Sequence, residues 1–177
     1  MDEILKYDSH FTESKFKSFV DNVFIQIHLS IMMKEPEKIK HFVSEDIYAD
    51  IVKKVDALNE KNLIQMYDEI NVKQTTLLRE EVKSDFMEIE VNITSRYMDY
   101  LMDEDGKFVS GINTERVQKE NYLVFRKKIH FLRQGTVRKC PGCGASIDVN
   151  ASGLCSYCGA TYNLEDKDWV LVSLKTE

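Results

Sequence analysis

The sequence contains few residues that break regular structure or form linkers. Its 177 residues include two prolines and seven glycines, which argues against long flexible segments. The longest apolar stretch, residues 23–33, is interrupted by Gln26, His28 and Ser30, so it is too short and too mixed to span a bilayer. The amino end, Met1-Asp2-Glu3, lacks the basic region and apolar core of a signal peptide. These absences predict a cytoplasmic protein.

An excess of positive charge is also missing. Thirty acidic residues against twenty-four basic ones give a net charge of −6, which disfavours general binding to nucleic acid or to anionic membranes. One stretch of fourteen residues is the exception, since it has no acid and contains Arg126, Lys127, Lys128, Arg133, Arg138 and Lys139. A solvated strand face is the favoured interpretation. The alternative is a docking patch for an acidic partner or for phospholipid headgroups.

All the cysteines of the chain lie in two Cys-x-x-Cys pairs that are separated by eleven residues. They are Cys140, Cys143, Cys155 and Cys158. Each pair forms one tight turn that directs two sulfurs at a single point, and zinc prefers four thiolates in a tetrahedron. Four protein ligands leave no open position for a substrate, so the pattern predicts a structural Zn²⁺ site in a zinc ribbon. Disulfides and a redox dithiol are the less favoured alternatives, because nothing indicates export and a dithiol needs only one pair.

The segment around the cysteines has too small a core to fold without a metal. Gly144 and Gly159 directly follow the second cysteine of each pair, where a left-handed backbone is expected. The predicted apolar residues of this segment are Ile147, Val149, Leu154, Tyr157, Tyr162 and Leu164. So few side chains cannot order about twenty-five residues, whereas zinc binding contributes roughly 10–16 kcal/mol in small zinc fingers.

The first two-fifths of the chain has helical periodicity. Apolar residues recur at steps of three and four from Phe16 to Ile31, which predicts one long helix capped by Thr12 or Ser14. Pro36 suits the first turn of a short helix that carries Ile39, Phe42 and Val43. Ser44 is then expected to begin a longer helix, whose predicted core face is Ile47, Ile51, Val55 and Leu58.

After residue 62 the period changes from helical to alternating. A strand is expected to begin at Ile70, and Met87, Ile89, Val91 and Ile93 alternate with polar residues in a half-buried strand. Asp105-Gly106 predicts a hairpin turn into Lys107-Phe108-Val109. A further strand is marked by Leu123, Phe125, Ile129 and Phe131, and a last one by residues 169–174. Helices followed by antiparallel strands predict an α+β domain with the helices on one sheet face.

Residues with the types and spacing that catalysis needs are scarce. The four histidines, His10, His28, His41 and His130, show no metal-ligand spacing. His28 borders the apolar stripe of the first long helix, which favours a hydrogen-bonded residue at the core edge over a general base. Asp99 lies near a strand end, where a turn cap or a pair with a neighbouring arginine is favoured over a catalytic base. The sequence therefore predicts no catalytic residue.

Several stretches together resemble a known family. They are Asp8-Ser9-His10-Phe11, Asp99-Tyr100, Asp105-Gly106-Lys107, Val109-Ser110-Gly111, Tyr122 to Arg126, Cys140-Pro141-Gly142-Cys143-Gly144-Ala145, Ser152 to Cys158, and Asp168-Trp169-Val170-Leu171. The order of these features resembles the Tim44-like family, relatives of the mitochondrial inner-membrane translocase subunit, and in particular its bacterial members that end in a zinc ribbon. The family often has Ala-Trp in the first helix, where this chain has His28-Leu29-Ser30.

The resemblance implies a cone of helices on a curved antiparallel sheet, as in nuclear transport factor two. It also implies a division into a Tim44-like α+β cone domain, residues 1–134, and a zinc ribbon with a C-terminal strand, residues 135–177. In the translocase relatives the domain is a non-enzymatic adaptor at the membrane, with a cavity that accepts apolar ligands. The ligand-contacting residues of such a cavity are not identified by the sequence.

Three functions are compatible with these features. The favoured one is a non-enzymatic adaptor that binds a protein, a peptide or an apolar small molecule, with a link to protein transport or to peripheral membrane assembly. The second is an isomerase or dehydratase that uses Asp99 or a tyrosine of the cavity. The third is nucleic-acid binding through the ribbon and the basic stretch, which the acidic net charge disfavours. Unpaired sheet edges are consistent with a homodimer.

Overall fold

Among the residues that the structure describes, three helices and one four-stranded antiparallel sheet form the fold, with the helices on the sheet. The structure is a computed structural model, and it describes residues 2–129, 140, 143–145, 155, 157–159 and 169–177. The elements are α1 (Asp2–Tyr7), α2 (Glu13–Met32), a 3₁₀ turn (Pro36–Ile39), α3 (Glu45–Glu60), β1 (Leu63–Val82), β2 (Phe86–Asp103), β3 (Phe108–Lys128) and β4 (Val170–Thr176). This order confirms the predicted α+β class.

The two long helices begin where the sequence predicts. The side chain of Thr12 accepts a hydrogen bond from Lys15 N at the start of α2, and Ser44 accepts one from Ile47 N at the start of α3. The expected short helix is reduced to the 3₁₀ turn, because Val43 instead forms a parallel bridge with Leu171 of β4. Backbone hydrogen bonds from Ser44 N to Leu171 O and from Leu171 N to Phe42 O fix this bridge.

Two predicted strand boundaries are wrong. β1 begins at Leu63 rather than at Ile70, and the predicted strands on either side of residues 110–122 are one strand, β3. Both strands carry bulges that break the alternation of apolar and polar residues on which the prediction depends. β3 ends at Lys128, one residue before Ile129, and Phe131 lies outside the described residues.

The helices cover one face of the sheet, and this face forms the core. Along β2 every second residue from Met87 to Tyr97 is buried, while the residues between them are partly exposed. Phe24 and Ile27 of α2 and Phe125 of β3 are at most 1% exposed. In the described part of the chain, no helix is both long enough and apolar enough to cross a bilayer.

The strand pairing is irregular on both sides of Tyr97 and Met98 of β2. On one side, Glu69 and Ile70 of β1 oppose a single residue of β2. On the other side, residues 113–116 of β3 also oppose a single residue of β2. Glu69 has a positive φ of 54°, and its carboxylate lies 3.5 Å from Arg116 of the other bulge. Bulges bend a strand and redirect its side chains. The side chains near Tyr97 and Met98 are therefore arranged differently from those in the regular part of the sheet.

β4 returns the chain to the main sheet. It pairs with residues 121–126 of β3, and backbone bonds between Glu120 and Glu177 end the ladder. Trp169, directly before β4, is buried against the rings of Phe11 and Phe16, with ring centroids 6.0 and 5.1 Å apart. The C-terminal strand is thus part of the α+β sheet.

Candidate functional site

The four cysteine sulfurs lie together, with all ligand atoms within 4.8 Å of one another. Cys140 Sγ is 3.6 Å from Cys158 Sγ, and Cys143 Sγ is 3.8 Å from Cys155 Sγ. A tetrahedral ion with zinc–sulfur bonds of about 2.3 Å requires sulfurs about 3.8 Å apart. A disulfide requires about 2.05 Å. The cluster therefore fits one divalent ion bound by four thiolates.

The two halves of this cluster have the same local geometry. Gly144 N donates to Cys140 O and Gly159 N donates to Cys155 O, both at 2.9 Å. Both glycines have a φ of +71°, which confirms the predicted left-handed backbone. The geometry favours one shared metal centre over two independent redox pairs, because each turn supplies half of a tetrahedron.

Burial divides the four cysteines into two kinds. The first cysteine of each pair, Cys140 and Cys155, is 3% exposed, while Cys143 and Cys158 are exposed. Tyr157, which the sequence assigned to a small ribbon core, is 76% exposed, because it lies in the turn between two ligands. The other five residues predicted for that core lie outside the described residues.

A second group of chemistry-bearing residues lies near the bulges beside Tyr97 and Met98 of β2. On β2 the buried face changes from apolar residues, ending at Ile93, to Ser95, Tyr97 and Asp99. Neighbouring elements bring further polar residues to this end, and we call the whole set the polar cluster: His28, Lys54, Gln65, Tyr67, Tyr97, Asp99 and Lys119. The domain interior therefore has an apolar part and a polar part.

Asp99 is held by two hydrogen bonds. Lys119 Nζ lies 2.5 Å from Asp99 Oδ2, and Gln65 Nε2 donates to Asp99 Oδ1 at 2.9 Å. The sequence favoured a turn cap or a pair with an arginine. Asp99 does form an ion pair, but with Lys119 of β3 rather than with an arginine, and its side chain is 29% exposed. A carboxylate satisfied in this way is poorly suited to act as a base.

His28 confirms the prediction of a hydrogen-bonded histidine at the core edge. It is 7% exposed, and its Nδ1 lies 2.8 Å from Phe24 O, so Nδ1 carries the hydrogen and Nε2 carries the lone pair. Its ring centroid is 4.6 Å from that of Tyr67 and 5.3 Å from that of Tyr97. Burial lowers the pKa of His28 to about 4, and burial also raises the pKa of both phenols. The three rings are therefore neutral at pH 7.

Comparison with known proteins identifies the first three-quarters of the chain. A family model for the Tim44-like domain matches residues 1–136. The chain belongs to the Tim44-like family. It is also similar to large ribosomal subunit protein mL45 of Drosophila melanogaster, with 26% identity over 133 residues. That match covers 72% of this chain and 36% of the relative, so the chain spans about a third of the relative's length.

The Tim44-like domain has an aromatic groove next to the start of β4. This groove has a volume of about 260 Å³, and its apolar lining is Phe11, Phe16, Phe19 and Trp169. Lys15 and Lys127 lie at its border, and Lys127 is paired with Asp8 at 2.7 Å. An apolar floor beside cationic side chains is suited to an apolar group that carries a negative charge nearby.

The basic stretch of the Tim44-like chain is largely neutralised where the structure describes it. Arg126 donates two hydrogen bonds to Glu88, at 2.8 and 2.7 Å, and Lys127 pairs with Asp8. Lys128 also has a partner. Arg133, Arg138 and Lys139 lie outside the described residues. The sequence predicted a solvated strand face, whereas two of the described cations, Arg126 and Lys127, form ion pairs within the domain.

Sequence reasoning found Asp99 and His28 but missed the rest of the polar cluster in this Tim44-like chain. The alternation seen at residues 87–93 continues through Ser95, Tyr97 and Asp99, and this continuation was the available signal. Lys54, on an amphipathic helix, and Lys119, on a bulged strand, gave no such signal.

The folded Tim44-like domain is expected to lose stability between pH 6.5 and pH 4 because of His28. Burial, opposed in part by the bond to Phe24, lowers the pKa of the folded-state imidazole from 6.5 to about 4. The unfolded chain then binds more protons in this range, so the free energy of unfolding falls as the pH falls from 6.5 toward 4. This contribution is about 3 kcal/mol.

Denaturant unfolding at several pH values measures this effect. The groups that face His28 are Tyr67, Lys54, Tyr97, Asp99 and Lys119, and none of them is altered in the variant His28→Phe. Because the variant lacks this imidazole, its free energy of unfolding should depend less steeply on pH. The slope between pH 6.5 and pH 4 should correspond to about one proton fewer taken up on unfolding. Leu78→Ala, an exposed substitution on β1 that changes no titratable group, is the control and should keep the original slope. An unchanged slope in His28→Phe would contradict this account.

Proposed function

We propose that the protein is a non-enzymatic binding module, in which the Tim44-like domain contacts a partner and a Cys₄ zinc centre is structural. The observation that carries this proposal is the cysteine cluster, because four thiolates at these distances complete the coordination of a zinc ion. With no coordination position open, the metal has no place for a substrate. Zinc is the preferred ion, since a tetrahedral set of four thiolates favours it over harder cations.

The aromatic groove supports a binding role. Phe19, which is partly exposed, offers apolar surface beside the exposed Lys15, while Phe11, Phe16 and Trp169 of the lining are at most 8% exposed. A peptide segment with one large apolar residue and an adjacent acid matches this chemistry. We take the partner to be a protein, and an apolar small molecule would use the same surface.

The proposed architecture follows the family. The α+β part, residues 1–134, would form the cone known from nuclear transport factor two, and residues 135–177 would form a zinc ribbon whose last strand joins the sheet. Membership in the Tim44-like family and similarity to a ribosomal subunit protein support a role in protein transport or in assembly at a membrane. We propose a cytoplasmic location with peripheral membrane contact.

The two alternative functions receive less support. An enzyme of the isomerase type would need a free base, and Asp99 is bound by both Lys119 and Gln65. Nucleic-acid binding would need unpaired cations on one face, and Arg126 and Lys127 are each paired with an acid.

Site-specific photo-crosslinking in cells tests the groove. A photoreactive amino acid replaces Lys15 at the groove in the full chain, and the same replacement at Lys53, exposed on α3, is the matched control. We expect one defined protein adduct from position 15 and none from position 53. Phe19→Ala should reduce the adduct severalfold without changing the helical circular dichroism, because it removes part of the groove.

Two results would contradict the groove as a binding surface. One is an equal yield of the same adduct from positions 15 and 53. The other is an adduct from position 15 that Phe19→Ala leaves unchanged. An adduct with the mass of a lipid or small molecule would show that the partner is not a protein, but it would still support the groove as a binding surface.

A further inference from the structure

The polar cluster contains two lysines and one carboxylate. One ammonium group, that of Lys54, therefore has no acidic partner within the cluster. Asp99 accepts from Lys119 and Gln65, and no carboxylate in the described part of the chain lies within ion-pair distance of Lys54. Within that part, the hydrogen bond of Lys54 Nζ goes to the neutral Tyr67 Oη, at 2.7 Å. An ammonium forms up to three hydrogen bonds, so two of its donors are available to a ligand.

Lys54 lies where a ligand from solvent reaches the cluster. Lys54 is partly exposed on α3, while its ammonium contacts Tyr67 of the polar cluster. The ammonium lies 5.5 Å from the centre of the Tyr67 ring, and Lys119 lies at the same distance from the Tyr97 ring. Each of the two tyrosine rings thus has one ammonium group close to it.

The phenol groups supply further donors. Tyr67 accepts from Lys54 and so keeps its own hydrogen for another acceptor. Every fully enclosed side-chain nitrogen or oxygen in the described ranges has a partner. Tyr97 Oη makes no hydrogen bond within those ranges although Tyr97 is 2% exposed, so this hydroxyl is not fully enclosed and its hydrogen is available to an acceptor. The Tyr67 and Tyr97 ring centroids are 5.5 Å apart, close enough for both residues to contact one small group.

These groups are complementary to a small anion. One surplus ammonium and two phenolic hydroxyls are donors, and the neutral His28 beside them adds no charge. Hydrogen bonds in which one group is charged are about twice as strong as neutral ones. We propose that Lys54, Tyr67 and Tyr97 bind the oxyanion of a small ligand, either a carboxylate or a phosphate. The site is distinct from the aromatic groove and does not depend on the proposed function.

Calorimetric titration of the full chain tests the proposal, with inorganic phosphate and acetate as separate probes at constant ionic strength. Saturable binding of at least one probe is expected. Lys54→Gln should weaken it at least tenfold, because the variant loses the charge and keeps most of the length. Lys53→Gln is the matched control, since Lys53 is the adjacent residue on α3 and is paired with Asp50 at the surface. Lys53→Gln should change the affinity for the probe by less than twofold.

Tyr97→Phe provides a second variant that removes one oxygen only. It should weaken the same probe severalfold while the circular dichroism spectrum is unchanged. A preference for phosphate over acetate, or the reverse, identifies the chemical source of the oxyanion and supports the site in either case. The proposal is overturned if neither probe binds saturably, if the two lysine variants lose affinity equally, or if Tyr97→Phe binds as tightly as the unmodified protein.

Discussion

Replacement of Cys155 by serine is expected to release the metal and to remove its stabilising effect on the carboxyl-terminal segment. Cys155 is one of the two buried cysteines of the proposed zinc site, so the substitution leaves three thiolates and a buried, weakly binding hydroxyl. Structural zinc in small fingers contributes roughly 10–16 kcal/mol, which makes this the largest effect expected for any single change. Elemental analysis of the purified protein should fall from about one zinc per chain to near zero.

The helices should survive this loss, because α2 and α3 pack on a sheet that does not use the metal. The helical circular dichroism signal is therefore expected to persist, while limited proteolysis becomes faster in the segment between β3 and β4. Tyr157→Ser is the matched control, since Tyr157 is exposed in the same turn and contributes no metal ligand. Unmodified protein that contains no zinc, or a Cys155→Ser variant that keeps it, would refute the metal centre.

Phe24→Ala is expected to lower the free energy of unfolding by about 3–5 kcal/mol. Phe24 is 0% exposed on α2 and belongs to the largest buried side chains of the core. Its removal leaves a cavity between α2 and the sheet, because the surrounding core relaxes only in part. Denaturant unfolding at pH 7 measures the change.

Leu78→Ala is the comparison for this experiment. Leu78 is 53% exposed on β1, so the same kind of truncation should cost less than about 0.5 kcal/mol. A loss below about 1 kcal/mol in Phe24→Ala would show that α2 does not pack on the sheet as described.

The features that could be predicted from sequence are those set by neighbouring residues. The caps at Thr12 and Ser44 need only four consecutive residues each, and Asp105-Gly106 forms its turn with Gly106 at a φ of +80°. The cysteine cluster belongs to the same class. Each turn is local, and only one long-range step, the meeting of two turns, had to be inferred from the chemistry of zinc.

The polar cluster could not be predicted, because it is made by distant parts of the chain. Gln65 and Asp99 are 34 residues apart, and Lys119 reaches Asp99 from another strand. The bulges determine which residues of neighbouring strands lie opposite each other. One bulge requires Glu69 in a left-handed backbone, which a non-glycine residue rarely adopts. No local pattern of apolar and polar residues encodes such a choice.

β4 is too short to cover the whole outer edge of β3, and this affects how the protein avoids self-association through its sheet. In the described part of the chain β4 covers β3 only from residue 121 onward, so the outer edge of residues 108–119 exposes backbone amides and carbonyls. An exposed edge is a template for intermolecular strand pairing. Residues 113–116 break the regular spacing of that edge, and Glu115 and Arg116 add charge to it. A second chain therefore meets only short, interrupted segments, which protects the longest strand from fibre-like aggregation.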